Sequence, residues 1–281
     1  YSRPDMSSIS VIIPTWNRAD TLKAAVNSVL NQTYPVMEVL ICDDGSTDNS
    51  QAIILSITDK RVRWIDCGRN GRPAIPRNMG VKESKGEWIA FLDSDDVWLP
   101  QKVAKQMQAL DEYRECLAVS CNAMKVDALQ KSQTVFHSVD RLKFRFKDLA
   151  ETNYIICSSA LMHRSLFQLT GGFPEKEEFK AIEDYSLWLK VAAFTEWIYL
   201  KEPLLNYHDN PSQSIRANDL NVWEQRKIIF SDMLNWLNTQ KANVPAMHKQ
   251  MARKELLLAE YYTGKTFGKR LIYRLRHILN V

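Results

Sequence analysis

The chain has 281 residues, 45% of them apolar and 25% charged, with 9 glycines and 10 prolines. That composition excludes a disordered, collagen-like or low-complexity chain and suffices for a sizeable hydrophobic core. The formal net charge is +4, from 37 Lys and Arg against 33 Asp and Glu, which gives no electrostatic case for a nucleic-acid partner. Cys42, Cys67, Cys116, Cys121 and Cys157 form no CxxC pair, so free thiols in a reducing compartment are expected, not a disulfide scaffold or zinc ribbon. No apolar run reaches the ~18 residues of a spanning helix. The first residues lack the basic, apolar and small-residue order of a secretion signal, so a cytoplasmic location is expected.

Strand and helix patterns alternate through the first third. Ile9–Pro14 is a short apolar run closed by proline, as a buried strand should be; Leu22, Val26, Val29 and Leu30 then repeat at helical spacing until Pro35. Met37–Cys42 predicts a second strand, and the cap-rich Ser46–Asn49 leads into a helical Ala52–Ile57. Val62–Ile65 predicts a third strand, Arg72–Glu83 a helix and Glu87–Leu92 a fourth strand. Leu99–Tyr113 predicts a helix with Pro100 in its first turn, and Leu117–Cys121 a fifth strand. This rhythm implies parallel strands with helices on both faces, and ligands then bind outside the carboxyl ends of the strands. From 122 to 210 the pattern is mixed: Ile155–Met162, Trp197–Leu200 and Leu204–Tyr207 read as strands and Glu183–Phe194 as a helix. From Asp219 onward the periodicity is helical only, which puts a boundary near 212.

Polar clusters follow three of those strands: Pro14-Thr15-Trp16-Asn17-Arg18, Asp43-Asp44-Gly45-Ser46 and Asp93-Ser94-Asp95-Asp96. Carboxylates crowded at one sheet edge repel each other unless a cation or hydrogen-bond donors offset them. Asp93 and Asp95 stand two apart and share a side if the strand continues. A few oxygen ligands of this kind suit Mg²⁺ or Mn²⁺ completed by substrate phosphates; the competing reading is a solvated acidic turn or a helix cap. Asp43-Asp44 reads either as an Asx turn or as an acceptor for a nucleobase imide N–H.

Val11–Arg18, Val39–Asp48, Arg77-Asn78 and Lys85–Asp96, in that order, resemble the glycosyltransferase family 2 enzymes of the GT-A fold. The resemblance spans roughly 8–112 strongly and 155–210 more weakly. It implies an α/β, Rossmann-like, mainly parallel sheet flanked by helices, with a C-terminal helical extension. The catalytic domain would be 6–212, divided into a nucleotide-sugar half (6–121) and an acceptor half (122–212), followed by a helical region at 213–281. The implied activity is metal-dependent, inverting transfer of one sugar from a nucleotide-diphosphate sugar, UDP-linked, to a hydroxyl of a glycan or lipid-linked glycan, as in bacterial surface polysaccharide assembly. The processive members' Gln-x-x-Arg-Trp pattern is missing, which favours transfer of a single sugar.

Carried over by position, Pro14, Thr15, Asn17, Arg18, Asp43, Asp44, Arg77, Asp93 and Ser94 would bind the donor, with Asp44 at the base and Arg77 at the diphosphate or nucleotide. Asp95 and Asp93 would hold Mn²⁺ or Mg²⁺, with His208 as a further ligand; Asp96 would assist them or cap the next helix. The resemblance puts the general base at the Asp of a Glu-Asp pair following Gly171-Gly172-Phe173, hence Asp184, with Glu183 as second candidate. Asn210–Arg216 resembles a segment that closes over the donor. Two rival classes are a nucleotidyltransferase, disfavoured because no Gly-rich phosphate segment follows the first strand, and a non-catalytic sugar-nucleotide-binding module, disfavoured by the retained acids.

Residues 261–281 carry Lys265, Lys269, Arg270, Arg274 and Arg276 and no acid, while Phe267, Leu271, Ile272, Leu275, Ile278 and Leu279 gather on one helical face. That is the pattern of a helix lying on an anionic membrane surface, with 265–281 as its contact and a peripheral place on the inner face of the cytoplasmic membrane.

Overall fold

The computed structural model describes residues 7–127, 133–209, 221–240 and 244–264. The chain runs β1 (Ile9–Thr15), α1 (Leu22–Leu30), β2 (Glu38–Asp43), α2 (Ser50–Leu55), β3 (Val62–Asp66), α3 (Ala74–Glu83), β4 (Trp88–Phe91), β5 (Val97–Trp98) and α4 (Lys102–Glu112). It continues through β6 (Ala118–Asp127), β7 (Gln133–Val135), β8 (Lys143–Phe144), α5 (Phe146–Glu151), β9 (Leu161–His163), α6 (Arg164–Thr170), α7 (Glu183–Ala192) and β10 (Trp197–Asp209). Two helices, α8 (Val222–Thr239) and α9 (Ala246–Thr263), follow.

The strands form one sheet in the order β3-β2-β1-β4-β9-β6-β10-β5, with β7 beside β6 and β8 beside β10. β3, β2, β1 and β4 are mutually parallel, whereas β9 is antiparallel to both β4 and β6. The chain leaves β1 to one side for β2 and later returns on the other as β4, which makes the end of β1 the switch point of the sheet. β1 and β4 are paired only from Ile9↔Trp88 to Ile12↔Phe91. Beyond Ile12 this pairing ends, so Pro14 sits where no N–H is needed for β4.

Helices cover both faces, so every residue of β1 and β2 is buried. Side chains alternate between two cores. Val11, Ile13, Val39 and Ile41 pack with Leu22, Val26, Val103 and Leu110, whereas Ile12, Leu40 and Phe91 pack with Trp188, Trp197 and Phe230. Each large apolar side chain so buried contributes about 1.5–3 kcal/mol. Ile229, Phe230 and Met233 of α8 belong to the second of these clusters, and Arg226 ties α8 to Glu255 of α9 and to the Ala150 carbonyl of α5.

Several boundaries differ from the sequence reading. Trp197–Leu200 and Leu204–Tyr207 are one strand, β10, which passes Pro203 by shifting register on either side of it. The predicted strand Ile155–Met162 keeps only its end, β9. Cys157–Ser159 is a 3-10 turn, because the Ser158 and Ser159 carbonyls accept from Trp98 Nε1 and Gln106 Nε2 (2.7 Å each) and are satisfied without a strand partner. The fourth helix begins at Lys102, so Pro100 precedes its first turn. The 210–216 segment and the basic tail 265–281 lie outside the described residues. Among the described residues no helix is long and apolar enough to cross a membrane.

Candidate active site

Three loops converge at the switch point. The Asp43-Asp44 turn is held by local hydrogen bonds. Asp43 accepts from the Ser46 N–H (3.0 Å) and Oγ (2.5 Å), an Asx turn. Asn17, at φ 51°, clasps the same turn: its N–H donates to Ser46 Oγ (2.9 Å) and its Oδ1 accepts from Thr47 N–H (2.8 Å). The Arg18 N–H donates to Ser50 Oγ (3.0 Å). Asp44 accepts from the N–H groups of Asn70 and Gly71 (2.8 Å each) and from Arg69. The Arg69 guanidinium in turn lies 4.0 Å over the ring of Trp16, which is 43% exposed. Gly71 adopts φ 76°, open to glycine at little cost, so its N–H can reach Asp44.

Sequence reasoning assigned no residue to this loop after β3 and passed over Trp16. The available signal was the Gly68-Arg-Asn-Gly71 turn at a strand end, in a sheet whose strand ends carry the site.

The second turn, Asp93–Asp96, closes on itself through Asp96 N–H to Asp93 carbonyl (3.1 Å). Asp93 pairs with Arg77 (2.6 Å), and Arg77 with Glu183 (2.8 Å), so one buried guanidinium joins the acidic turn to the start of α7. Arg77 was expected against a diphosphate; it is 4% exposed and turned inward to these two partners. Asp95 lies 3.7 Å from Arg18. Burial and the neighbouring Asp93 raise its carboxyl above the ordinary range, only partly opposed by Arg18. Asp96 caps no helix: its buried carboxyl accepts from Ser158 Oγ (2.5 Å) and from the His208 N–H (2.9 Å). Ser94 is buried.

Asp184, beside Glu183 in the first turn of α7, is half-buried and accepts from the Tyr185 N–H (2.6 Å). Burial first and Glu183 second push its carboxyl up to about 7. Ala181, just upstream, holds φ 67°, a conformation that a non-glycine residue adopts only under local constraint.

Thr15 Oγ1, Arg77 Nε, Glu183 Oε2 and His208 Nδ1 are buried here without a hydrogen-bond partner among the described residues. Among those residues no three His, Cys, Asp or Glu side chains converge as a preformed metal cage. A Mg²⁺-type site needs only one or two carboxylates when phosphates complete it. Asp93 and Asp95, two crowded carboxylates next to the unpartnered His208 nitrogen, fit such an ion.

Residues 10–170 match the model of Glycosyl transferase family 2. An Escherichia coli relative, UDP-Glc:alpha-D-GlcNAc-diphosphoundecaprenol beta-1,3-glucosyltransferase WfaP, is 34% identical over 188 residues, 66% of this chain and 70% of its own. The enzyme named for the same reaction, WfgD, is 31% identical over 65% of this chain and 69% of its own. In structure, S. aureus TarS 1-349 in complex with UDP-GlcNAc superposes with a TM-score of 0.72 at 19% identity, covering 97% of this chain and 79% of that one. A mannosyltransferase from Pyrobaculum calidifontis, in complex with GDP-Man and Mn²⁺, gives 0.56 at 18% identity, covering 99% and 81%. These last two likenesses concern the fold.

Proposed function

Because the chain belongs to glycosyl transferase family 2, we propose that it moves one sugar from a UDP-sugar to a hydroxyl of a lipid-linked glycan, inverting the anomeric carbon, with Mn²⁺ or Mg²⁺ as cofactor. The observation that carries this reading is the buried Asp93–Arg77–Glu183 chain. It sets the acidic turn, where a diphosphate would bind, at a fixed place relative to Asp184.

Asp184 takes the proton of the acceptor hydroxyl as its oxygen attacks the anomeric carbon. The bond from that carbon to the β-phosphate oxygen breaks, and the nucleoside diphosphate leaves. A pKa near 7 leaves this base able both to hold and to release a proton at neutral pH. A divalent ion held by Asp95 and Asp93, with His208 as the third candidate, would neutralise charge on the leaving diphosphate. The base of the nucleotide lies along Trp16, Arg69 and Asp44, and Thr15 and Arg18 contact the donor at the end of β1. Arg77 acts as the internal strut, and Glu183 is its partner, not the base. The tail 265–281 lies on anionic lipid at the cytoplasmic face, where a lipid-linked acceptor is met.

A panel of nucleotide sugars with Mn²⁺ and a lipid-diphosphate-linked sugar tests the reaction. Metal-dependent release of free UDP together with a lengthened acceptor supports it. Release of pyrophosphate would show a nucleotidyltransferase instead, and tight donor binding without turnover a binding module. Sedimentation with anionic liposomes tests the tail: equal binding by a chain ending at Tyr262 would sink that part.

A further inference from the structure

Ser158 lies in no motif, yet it is fully buried and its hydroxyl meets the acidic turn at both ends. The Asp93 N–H donates to Ser158 Oγ (3.0 Å), and Ser158 Oγ donates to Asp96 Oδ2 (2.5 Å). The turn between them contains Ser94 and Asp95. The other oxygen of Asp96 accepts from the His208 N–H (2.9 Å) on β10. One hydroxyl and one carboxyl thus hold the backbone of Asp93, the far end of its turn and the backbone of His208.

The clamp is itself braced. Trp98 Nε1 donates to the Ser158 carbonyl and Gln106 Nε2 to the Ser159 carbonyl, 2.7 Å each. Lys102, fully buried, donates to Gln106 Oε1 (2.9 Å) and sits 3.8 Å over the Trp98 ring. Trp98 also pairs with Leu205 of the strand that carries His208. Trp98 and Gln106 thus hold the Ser158-Ser159 backbone, and Lys102 holds Gln106.

We propose that Ser158 and Asp96 are positioning residues that fix Asp93, Asp95 and His208 relative to one another for a divalent cation, an assignment that rests on the metal-dependent transferase reading above. Hydrogen-bond partners behind metal ligands set ligand orientation, and losing one costs roughly ten- to hundredfold in metal affinity. Ser158→Ala removes the acceptor for the Asp93 N–H and the donor to Asp96 in one step. Asp96→Ala frees the His208 N–H. Asp96→Asn keeps an oxygen for the His208 N–H and turns the other bond round, its amide N–H donating to Ser158 Oγ while the Ser158 O–H loses its acceptor, so it keeps the bridge in part.

The test is calorimetric titration of Mn²⁺ into protein saturated with UDP, alongside metal-free melting temperatures. Ser158→Ala and Asp96→Ala are expected to raise the Mn²⁺ dissociation constant by roughly ten- to hundredfold, and Asp96→Asn to raise it less than Asp96→Ala does. A merely structural role would lower the melting temperature and leave the Mn²⁺ constant unchanged, which overturns the proposal. So would an Asp96→Asn protein as weak as Asp96→Ala. Wild-type protein that takes up no Mn²⁺ with UDP would remove the metal-dependent reading itself, a result distinct from unequal variants of a competent wild type.

Discussion

Two acidic turns flank β1, one after β2 and one after β4, and they solve the same electrostatic problem differently. Asp43 and Asp44 are saturated by the donors of Ser46, Asn70, Gly71 and Arg69, so this turn is held rigid by the chain's own groups. The Asp93–Asp96 turn is under-compensated. The carboxyls of Asp93 and Asp95 face arginines that are shared or distant, and the Asp95 and Asp96 carboxyls rise under burial and repulsion from their acidic neighbours. Across Arg77, Asp184 shares that condition. Identical residue types are therefore satisfied where backbone N–H groups surround them and left under-compensated where they do not.

The contrast can be broken at its reactive end first. Asp184→Asn should cut the transfer rate about 10²–10⁴-fold with the fold intact by circular dichroism, and near-normal turnover would refute the base assignment. Asp95→Ala should lower metal-dependent turnover by about 10²–10³-fold and leave metal-free stability little changed. With a base pKa of about 7, turnover should climb about tenfold per pH unit below 7 and level off above it. The linked stability runs the other way. A carboxyl raised from 3.8 in the folded state contributes stability that is full below pH 3.8 and lost as pH rises through about 7, which thermal melts across that window would register.

The scaffold end sharpens the comparison through stability. Asp44→Ala strands the Asn70 and Gly71 N–H groups and should cost about 1–3 kcal/mol in denaturant melts. Ser46→Ala removes one hydroxyl from Asp43 and should cost about 0.5–1.5 kcal/mol, the smallest effect here.

Much of this was legible in the sequence. The apolar runs of β1, β2 and β4 and the helical repeats between them encode a parallel sheet, because period and burial are local properties. The acids at the strand ends follow from the same reading. Less legible were β10, which continues through Pro203, and Cys157–Ser159, whose carbonyls are satisfied by side chains from elsewhere.

The amino-acid order by itself determined the α/β alternation, the strand ends that carry Thr15, Asp44 and Asp95, the helix start that carries Asp184, and the family. Only the tertiary structure decided which of those carboxylates are satisfied. Arg77 turned inward because Asp93 and Glu183, 16 and 106 residues away in the chain, close on it. Ser158 became the hinge pin of the acidic turn through partners 65 and 62 residues away. Hydrogen-bond saturation and burial are properties of what folding brings together, and those set a carboxyl's proton affinity and so its task.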